Sequence, residues 1–530
     1  KMNAPKYVRH YLLFIVVVFC LTLTSTVRSQ QTNVSLLSAI DISTNRELFL
    51  DELLIDKLLG KAERRLHHPE LREVAIVHSE PWEGNTSGYH SVFKDGEIFR
   101  MYYRGSQINL TKEKFIDTHP FYICYAESND GIHWKKPNLG LYEFNGSKNN
   151  NIVLASGAVG GVQLNLGDNA SMFKDDNPTA SPDTRYKAIV FSDNPKGLFA
   201  FKSSNGIHWL PMNKEPVITA GAFDSQNIAF YDSINKEYRA YWRYFKGGTS
   251  ESSLTPGGIR AVRTAVSKDF INWTQFEDVT YFDSLAIQLY TNQVKPYSRA
   301  PHISIGIPNR YIERGWSPSM RALPNLNHRE LRSSHHLRYG TALTDAMVMS
   351  SRNGTEFSRW EESFLRPGIE RDGTWNYGQQ YVAWGIVETK SELKGAPNEL
   401  SFYATENSWT SEAPTSDLRR YTLRLDGFVS VHAPTSGGEM ITKPLKFKGN
   451  VLSLNFATSV AGEILVELQD NNGKPIEGFR LKDCYSIFGD TTERTVVWKN
   501  GSDVSKLAGK EVQLRFVLND ADLYSFQFQY

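Results

Sequence analysis

The chain has 530 residues, 12% of them aromatic, with 59 Lys and Arg against 58 Asp and Glu. That length allows more than one domain, and a net charge near +1 without a basic stripe argues against a nucleic-acid partner. Three cysteines supply neither a disulfide framework nor zinc spacing. At the start, Lys6, Arg9 and His10 precede an apolar run, Tyr11–Leu23, and small and polar residues follow through Ser29. The run is short for a bilayer span and reads as a secretory signal peptide over residues 1–29. The mature chain is then expected to be secreted, extracellular and off the membrane. Eight Asn-x-Ser/Thr sequons (Asn33, Asn85, Asn109, Asn145, Asn169, Asn272, Asn353 and Asn500) fit a glycoprotein. Cys20 leaves with the signal, and Cys124 and Cys484 either pair or remain as two free thiols.

From about residue 75 a short phrase recurs. It reads SNDGIHW at Ser128–Trp134 and SSNGIHW at Ser203–Trp209, and degrades to SKDFINW at Ser267–Trp273 and SRNGTEF at Ser351–Phe357. Recurrence at 64 to 84 residues marks a repeat architecture. Each phrase follows a β-rich run, and a strand, a tight Asx-Gly turn and an aromatic residue fit the outer hairpin of a propeller blade. A second repeat marks the inner strands: Val92–Tyr103, Met172–Phe191 and Ala229–Arg243 each place an Asp-bearing turn between alternating strands. Pro301–Ile307 with Ala346–Trp360 makes a fourth blade, and Tyr381–Thr389 with Leu400–Trp409 a fifth. The expectation is an all-β chain, a five-bladed β-propeller over residues 30–416. Glu47–Asp56 would be a strand and turn entering the first blade. The polar stretch Thr410–Ser416 reads as a connector, and short alternating strands over 417–530 predict a small C-terminal β-sandwich.

The inner strand of each blade lines the channel, so functional groups belong at one end of those strands. Counting back from the hairpin turns at Asp95, Asp175 and Asp232 leads to Glu83, Asp168 and Asp224. Three carboxylates at one level suit glycoside hydrolysis, one as nucleophile or base, one as acid and a third to orient substrate or tune a pKa. Crowding of like charges would raise one of them. The turn acids themselves and Asp130 are expected to be structural. Trp82, His90, Gln226, Asn227, Asn292, His302, Arg371 and Asp372 are the candidate substrate contacts. His67-His68 and His335-His336 are adjacent pairs whose side chains diverge, so no metal is expected, and no cofactor motif is present.

The segments Ser128–Val153, Phe223–Asp232, Gln288–Tyr311, Leu343–Gly368 and Val512–Phe528 resemble a largely uncharacterised group of secreted proteins. That group is described as similar to the N-terminal propeller of glycoside hydrolase family 32, and its architecture resembles family 43 as well. The resemblance implies a five-bladed propeller with three acids on successive blades, in the order Glu83, Asp168, Asp224, and a carbohydrate substrate. Asn-Asp-Pro-Asn-Gly, Arg-Asp-Pro and Glu-Cys-Pro, the familiar patterns of those families, are absent from this sequence. The expected function is a secreted glycosidase acting on a poly- or oligosaccharide. A non-catalytic sugar-binding propeller is the alternative, and a lyase using Tyr290, His302 and Arg371 is a third.

Overall fold

The computed structural model describes residues 39–409 and 415–530. The expected signal peptide and most of the polar connector lie outside the described residues. Five antiparallel sheets make the five blades. The first joins Gly88–Asp95, Ile98–Gly105, Tyr122–Ser128 and Ile152–Ala155. The second joins Leu166–Lys174, Tyr186–Asp193, Lys196–Ser203 and Leu210–Pro211, and the third Ile228–Asp232, Glu237–Lys246, Ile259–Ser267 and Trp273–Asp278. The fourth contains Lys295–Tyr297, Ala300–Gly306, Met349–Ser351 and Glu356–Arg359, with Thr280–Tyr281 added in parallel at its rim. In the fifth, Val387–Thr389, Glu399–Glu406 and Asp417–Arg424 are completed by Glu70–Val77 from the other end of the sequence. That pairing closes the ring by joining the two ends of the propeller in one blade.

The recurring phrase is a turn between the third and fourth strands, held by one repeated set of bonds. In the first blade Ser128 Oγ accepts from the amides of Asp130 and Gly131, while Asp130 Oδ1 accepts from Ile132 and His133. Ser203 with Asn205, Ser267 with Asp269 and Ser351 with Asn353 repeat it. The residue after the acid or amide is left-handed, with φ of 74° at Gly131, 77° at Gly206 and 78° at Gly354, which explains the glycine. The phrase also clasps neighbouring blades. Tyr102 donates to the Gly206 carbonyl at 2.8 Å, Tyr241 to that of Gly354 at 2.7 Å, and Tyr403 to that of Gly131. Each tyrosine sits four residues past the residue that closes its blade's first hairpin, Ile98, Glu237 and Glu399. The second blade has Ile189 at that register, and the phrase of the third has Phe270 instead of glycine. Both are buried in one hydrophobic cluster. The hairpin acids stitch blades together too: Asp95 accepts from Lys174 at 2.8 Å and Tyr186 at 2.6 Å, and Asp175 from Tyr238 at 2.7 Å.

The lead-in does not enter the first blade. Arg46–Leu48, Ile55–Gly60 and Glu63–Leu66 pair into an eight-stranded sheet with Val429–Ala433, Gly438–Thr442, Val451–Gln469, Asp490–Thr495 and Gln513–Gln529. Its two long strands run side by side almost to the C-terminus. Asp417–Arg424 belongs to the fifth blade by its pairing, one strand beyond the boundary expected at 416. One hydrophobic cluster runs from this sheet (Phe456, Phe516, Phe526) into the fourth and fifth blades (Ile303, Phe364, Phe402). Buried Asp426 anchors the junction, accepting from Tyr297 and Arg299 of the fourth blade and from Arg46 and Ser525 of the sheet. Cys124 and Cys484 are both free thiols, Cys124 buried and Cys484 half-buried.

Candidate functional site

An inner strand antiparallel to its neighbour sets the start of the first strand against the end of the second, as in Gly88 opposite Arg104. The residues at these starts converge on one mouth. A cavity of about 250 Å³ there takes one wall residue from each blade in turn: Tyr89, Asp168, Asp224, Tyr290 and Tyr381. Arg104, Phe115, Asp117, Arg338, Tyr339, Tyr377 and Trp409 are among the other residues that line it. Below the mouth the axis is filled by side-chain amides rather than left as a channel. Gln293 donates to Gln226 at 2.7 Å and to the Val382 carbonyl at 2.6 Å, and Gln226 donates to the His90 carbonyl at 3.0 Å.

Asp168 and Asp224 share the cavity but not the environment. Each is gripped by an arginine from the end of a second strand, Arg104 for Asp168 and Arg243 for Asp224. Both arginines stand six residues past the hairpin-closing residue, Ile98 or Glu237; Arg104 reaches the acid of the next blade and Arg243 that of its own. Arg104 also donates to the Thr86 carbonyl at 2.5 Å and lies 4.7 Å over the Tyr89 ring; Arg243 lies 4.9 Å over Tyr290. The Asp168 side chain is 20% exposed and that of Asp224 is 65% exposed. Burial pushes the Asp168 carboxyl up to about 6; Arg104 opposes that rise and the Asp224 charge adds to it. For Asp224, burial pushes in the same direction but Arg243 outweighs it, and the carboxyl is held below its usual range. The two environments push the neighbouring carboxyls in opposite directions, which suits one as an acid and the other as an ionised base or nucleophile. Asp117, on the small hairpin Ile108–Leu110 and Phe115–Asp117, is a third acid at the exposed rim, raised by burial against the pull of Arg104 and His119.

The remaining wall is aromatic. Tyr381 stacks on Tyr89 with centroids 5.9 Å apart and on Tyr290 at 5.1 Å; Tyr377 donates to the Tyr290 hydroxyl at 3.0 Å. Tyr339 stacks on Phe115 at 5.3 Å and packs at 5.1 Å against Trp409. Tyr89 and Trp409 hold left-handed backbones, φ 54° and 57°, which cost a large aromatic residue free energy and persist only where surroundings impose them. Flat rings beside carboxylates suit the apolar faces and hydroxyl edges of a sugar.

Glu83 is elsewhere. Its carboxylate is buried and filled by Tyr103 Oη at 2.5 Å, Lys136 Nζ at 2.6 Å and the Glu80 amide at 3.0 Å. Seven or eight residues before Asp95, the spacing that reaches Asp168 and Asp224, lie Gly88 and Ser87. The first blade therefore presents Tyr89 at the mouth where an acid was expected. Trp82 donates to Asn151 at 2.7 Å and packs on Phe144. His90 is buried with Nε2 3.0 Å from that of His78; burial pushes His78 down to about 3 and holds His90 well below the usual histidine value. Gln226 belongs to the axial plug, Asn227 bonds to Asn169 and to the Phe223 and Ser225 carbonyls, and Asn292 is buried with its oxygen accepting from Val294. His302 contacts Glu47 of the lead-in at 3.0 Å, and Arg371 pairs with Glu406 at 2.5 Å. Asp372 is exposed and lines no part of the cavity. Of the expected contacts none lines the mouth; of the expected acids, Asp168 and Asp224 do. Two sequon residues, Asn85 and Asn169, are buried with their amides hydrogen-bonded.

No family model and no curated protein matches the chain. Solved structures do. A glycoside hydrolase matches with 11% identity and a TM-score of 0.41, over 67% of this chain and 92% of that one. A structure from the mannoside phosphorylase family with glycoside hydrolases that target β-1,2-mannosidic linkages in Candida mannan matches with 14% identity and a TM-score of 0.40, over 68% and 94%. A fructofuranosidase from Schwanniomyces occidentalis complexed with fructosylnystose matches with 14% identity and a TM-score of 0.38, over 86% and 97%. No activity transfers at such identities, and the chemistry has to be argued from this chain's own residues.

Proposed function

We propose that the chain hydrolyses a glycosidic bond of an oligo- or polysaccharide at this mouth. The reading rests on one observation: two carboxylates line one aromatic-walled cavity, where their surroundings push Asp168 up to about 6 and hold Asp224 below its usual range. Asp168, protonated up to about pH 6, is the general acid that gives its proton to the departing glycosidic oxygen. Asp224, ionised and open to the cavity, is the nucleophile or the base that activates water. Arg104 and Arg243 position the two carboxyls and keep Asp224 charged. Tyr89, Tyr290 and Tyr381 seat the sugar ring. The same reading has the protein working after secretion, on its apolar N-terminal run and on exposed sequons such as Asn109 and Asn500.

The test is reducing-end release from a broad polysaccharide panel by the wild type and by Asp168→Asn and Asp224→Asn. Release that both variants lose while they remain folded supports the assignment. Release that survives both substitutions sinks it, and glycan binding without any release makes the mouth a sugar-binding site.

A further inference from the structure

Most cations at the mouth are already committed. Arg104 is spent on Asp168 and Arg243 on Asp224, while Arg260 is capped by Gln288 at 2.9 Å and lies over the Tyr311 ring. Arg338 differs. It lines the cavity, donates to Tyr377 Oη at 3.2 Å and lies 4.7 Å over the Tyr339 ring, and among the described residues no carboxylate pairs with it. Two aromatic contacts fix the plane of its guanidinium and leave donors for a ligand.

Its setting is independently cationic. Arg338 lies on the short helix Leu337–Thr341, the last of a helical excursion inserted between Asn309–Glu313 and Ala342–Ala346, which pair with each other as a separate two-stranded sheet. Residues 314–341 of that excursion carry five arginines (Arg314, Arg321, Arg329, Arg332, Arg338) and one glutamate, Glu330, which pairs with Arg321 at 2.6 Å. Arg329 and Arg332 are fully buried on the helix Leu326–His335. Their partners are uncharged: the Gly340, Pro324 and Trp375 carbonyls for Arg329, and Asn376 at 2.6 Å for Arg332. Nε of both and Nη1 of Arg332 have no partner among the described residues. Buried positive charge without a counter-ion is costly, and its field extends into the cavity whose wall the excursion forms, since Arg332 lies 5.3 Å from the Trp409 ring. Of the acids that would oppose an incoming anion, Asp168 and Asp224 are already paired, and Asp117 is at the rim.

We infer that the mouth is built for an acidic glycan, with a carboxylate of a uronic acid or a sulfate ester seated on Arg338 beside the ring held over Asp168 and Asp224. A planar fork is the donor that matches either oxyanion through two parallel hydrogen bonds. The inference rests on the cavity being a glycan site, and adds the chemical class of the glycan.

The experiment is calorimetric titration of the intact wild type, Arg338→Gln and Arg338→Lys. The ligands are oligogalacturonates, sulfated galactan oligomers, and the carboxyl-reduced and desulfated forms of each. The wild type should bind one acidic series about tenfold to hundredfold more tightly than its neutral counterpart. Arg338→Gln should erase that preference, so that acidic and neutral forms bind alike, and Arg338→Lys should keep part of it. Which series is preferred identifies the anion as carboxylate or sulfate. Equal wild-type affinity for acidic and neutral forms overturns the inference, as does a preference that survives Arg338→Gln. If Arg338→Gln does not fold, the wild-type preference and its reduction in Arg338→Lys decide. Binding of neither form by the wild type overturns the glycan-site reading itself, a result distinct from indifference to charge.

Discussion

The first blade and the mouth each hold carboxylates paired with cations, yet they differ in what surrounds the pair. Around Glu83, a tyrosine, a lysine and a backbone amide occupy the carboxylate from three sides, and nothing is left to meet a ligand. At the mouth, Asp168 and Asp224 each have one arginine, and the rest of each carboxylate faces a cavity. A charge pair is therefore no sign of function by itself. Unfilled hydrogen-bonding capacity toward an opening separates the acids at the mouth from the enclosed one.

The largest effect expected is on turnover. Asp224→Asn should lower kcat by about 10²–10⁴-fold, and it should also lower the melting temperature, because it leaves the buried Arg243 without its counter-ion. Asp168→Asn should cost a similar factor on natural glycans. On aryl glycosides with acidic leaving groups the loss should shrink, since such groups depart without a proton. An equal loss on both substrates would remove Asp168 from the acid's role.

Glu83 should behave in the opposite way. Glu83→Gln leaves Lys136 without its counter-ion in a buried site, at a cost of about 3–5 kcal/mol, read by denaturant unfolding, while the folded fraction keeps the wild-type kcat. A fall in kcat without loss of stability would erase the distinction between the two regions.

The pH profile sharpens the contrast within the mouth. The acid must be protonated to act, so kcat/KM should fall as pH rises through about 6, where Asp168 ionises. It should hold on the acidic side until Asp224, whose carboxyl lies below its usual range, takes up a proton. Arg104 pulls the Asp168 value down, so Arg104→Gln should move the alkaline limb to higher pH. A limb that stays in place would detach it from Asp168.

The smallest effect belongs to the blade clasps, which should touch neither region. Tyr241→Phe removes the hydroxyl bonded to the Gly354 carbonyl, at about 1–2 kcal/mol. Tyr102→Phe should cost less, because the Gly206 carbonyl keeps the Trp209 indole as a donor at 3.1 Å. Neither should alter kcat.

Local sequence determined the repeat: the serine, the acid or amide and the left-handed glycine of each phrase form a turn from bonds within a few residues. Alternation fixed the strands, and with the phrases it fixed five blades. Asp168 and Asp224 were legible because inner strands of similar length run from mouth to hairpin, which makes the hairpin acid a usable ruler. That ruler requires a strand of constant length, and Glu83, twelve residues before Asp95, lies beyond that length in a loop of its own. Arg104 and Arg243 occupy one register in two blades, a signal present in the sequence but meaningful only once the second strand is known to return to the mouth. Tyr89, Arg338, Tyr377 and Trp409 come from four distant stretches, and no local pattern brings them together. Tertiary closure decided that assembly. It also decided that Glu70–Val77 completes the fifth blade and that the lead-in joins the C-terminal sheet, because strand partners at such separations are chosen by the packing of the whole ring.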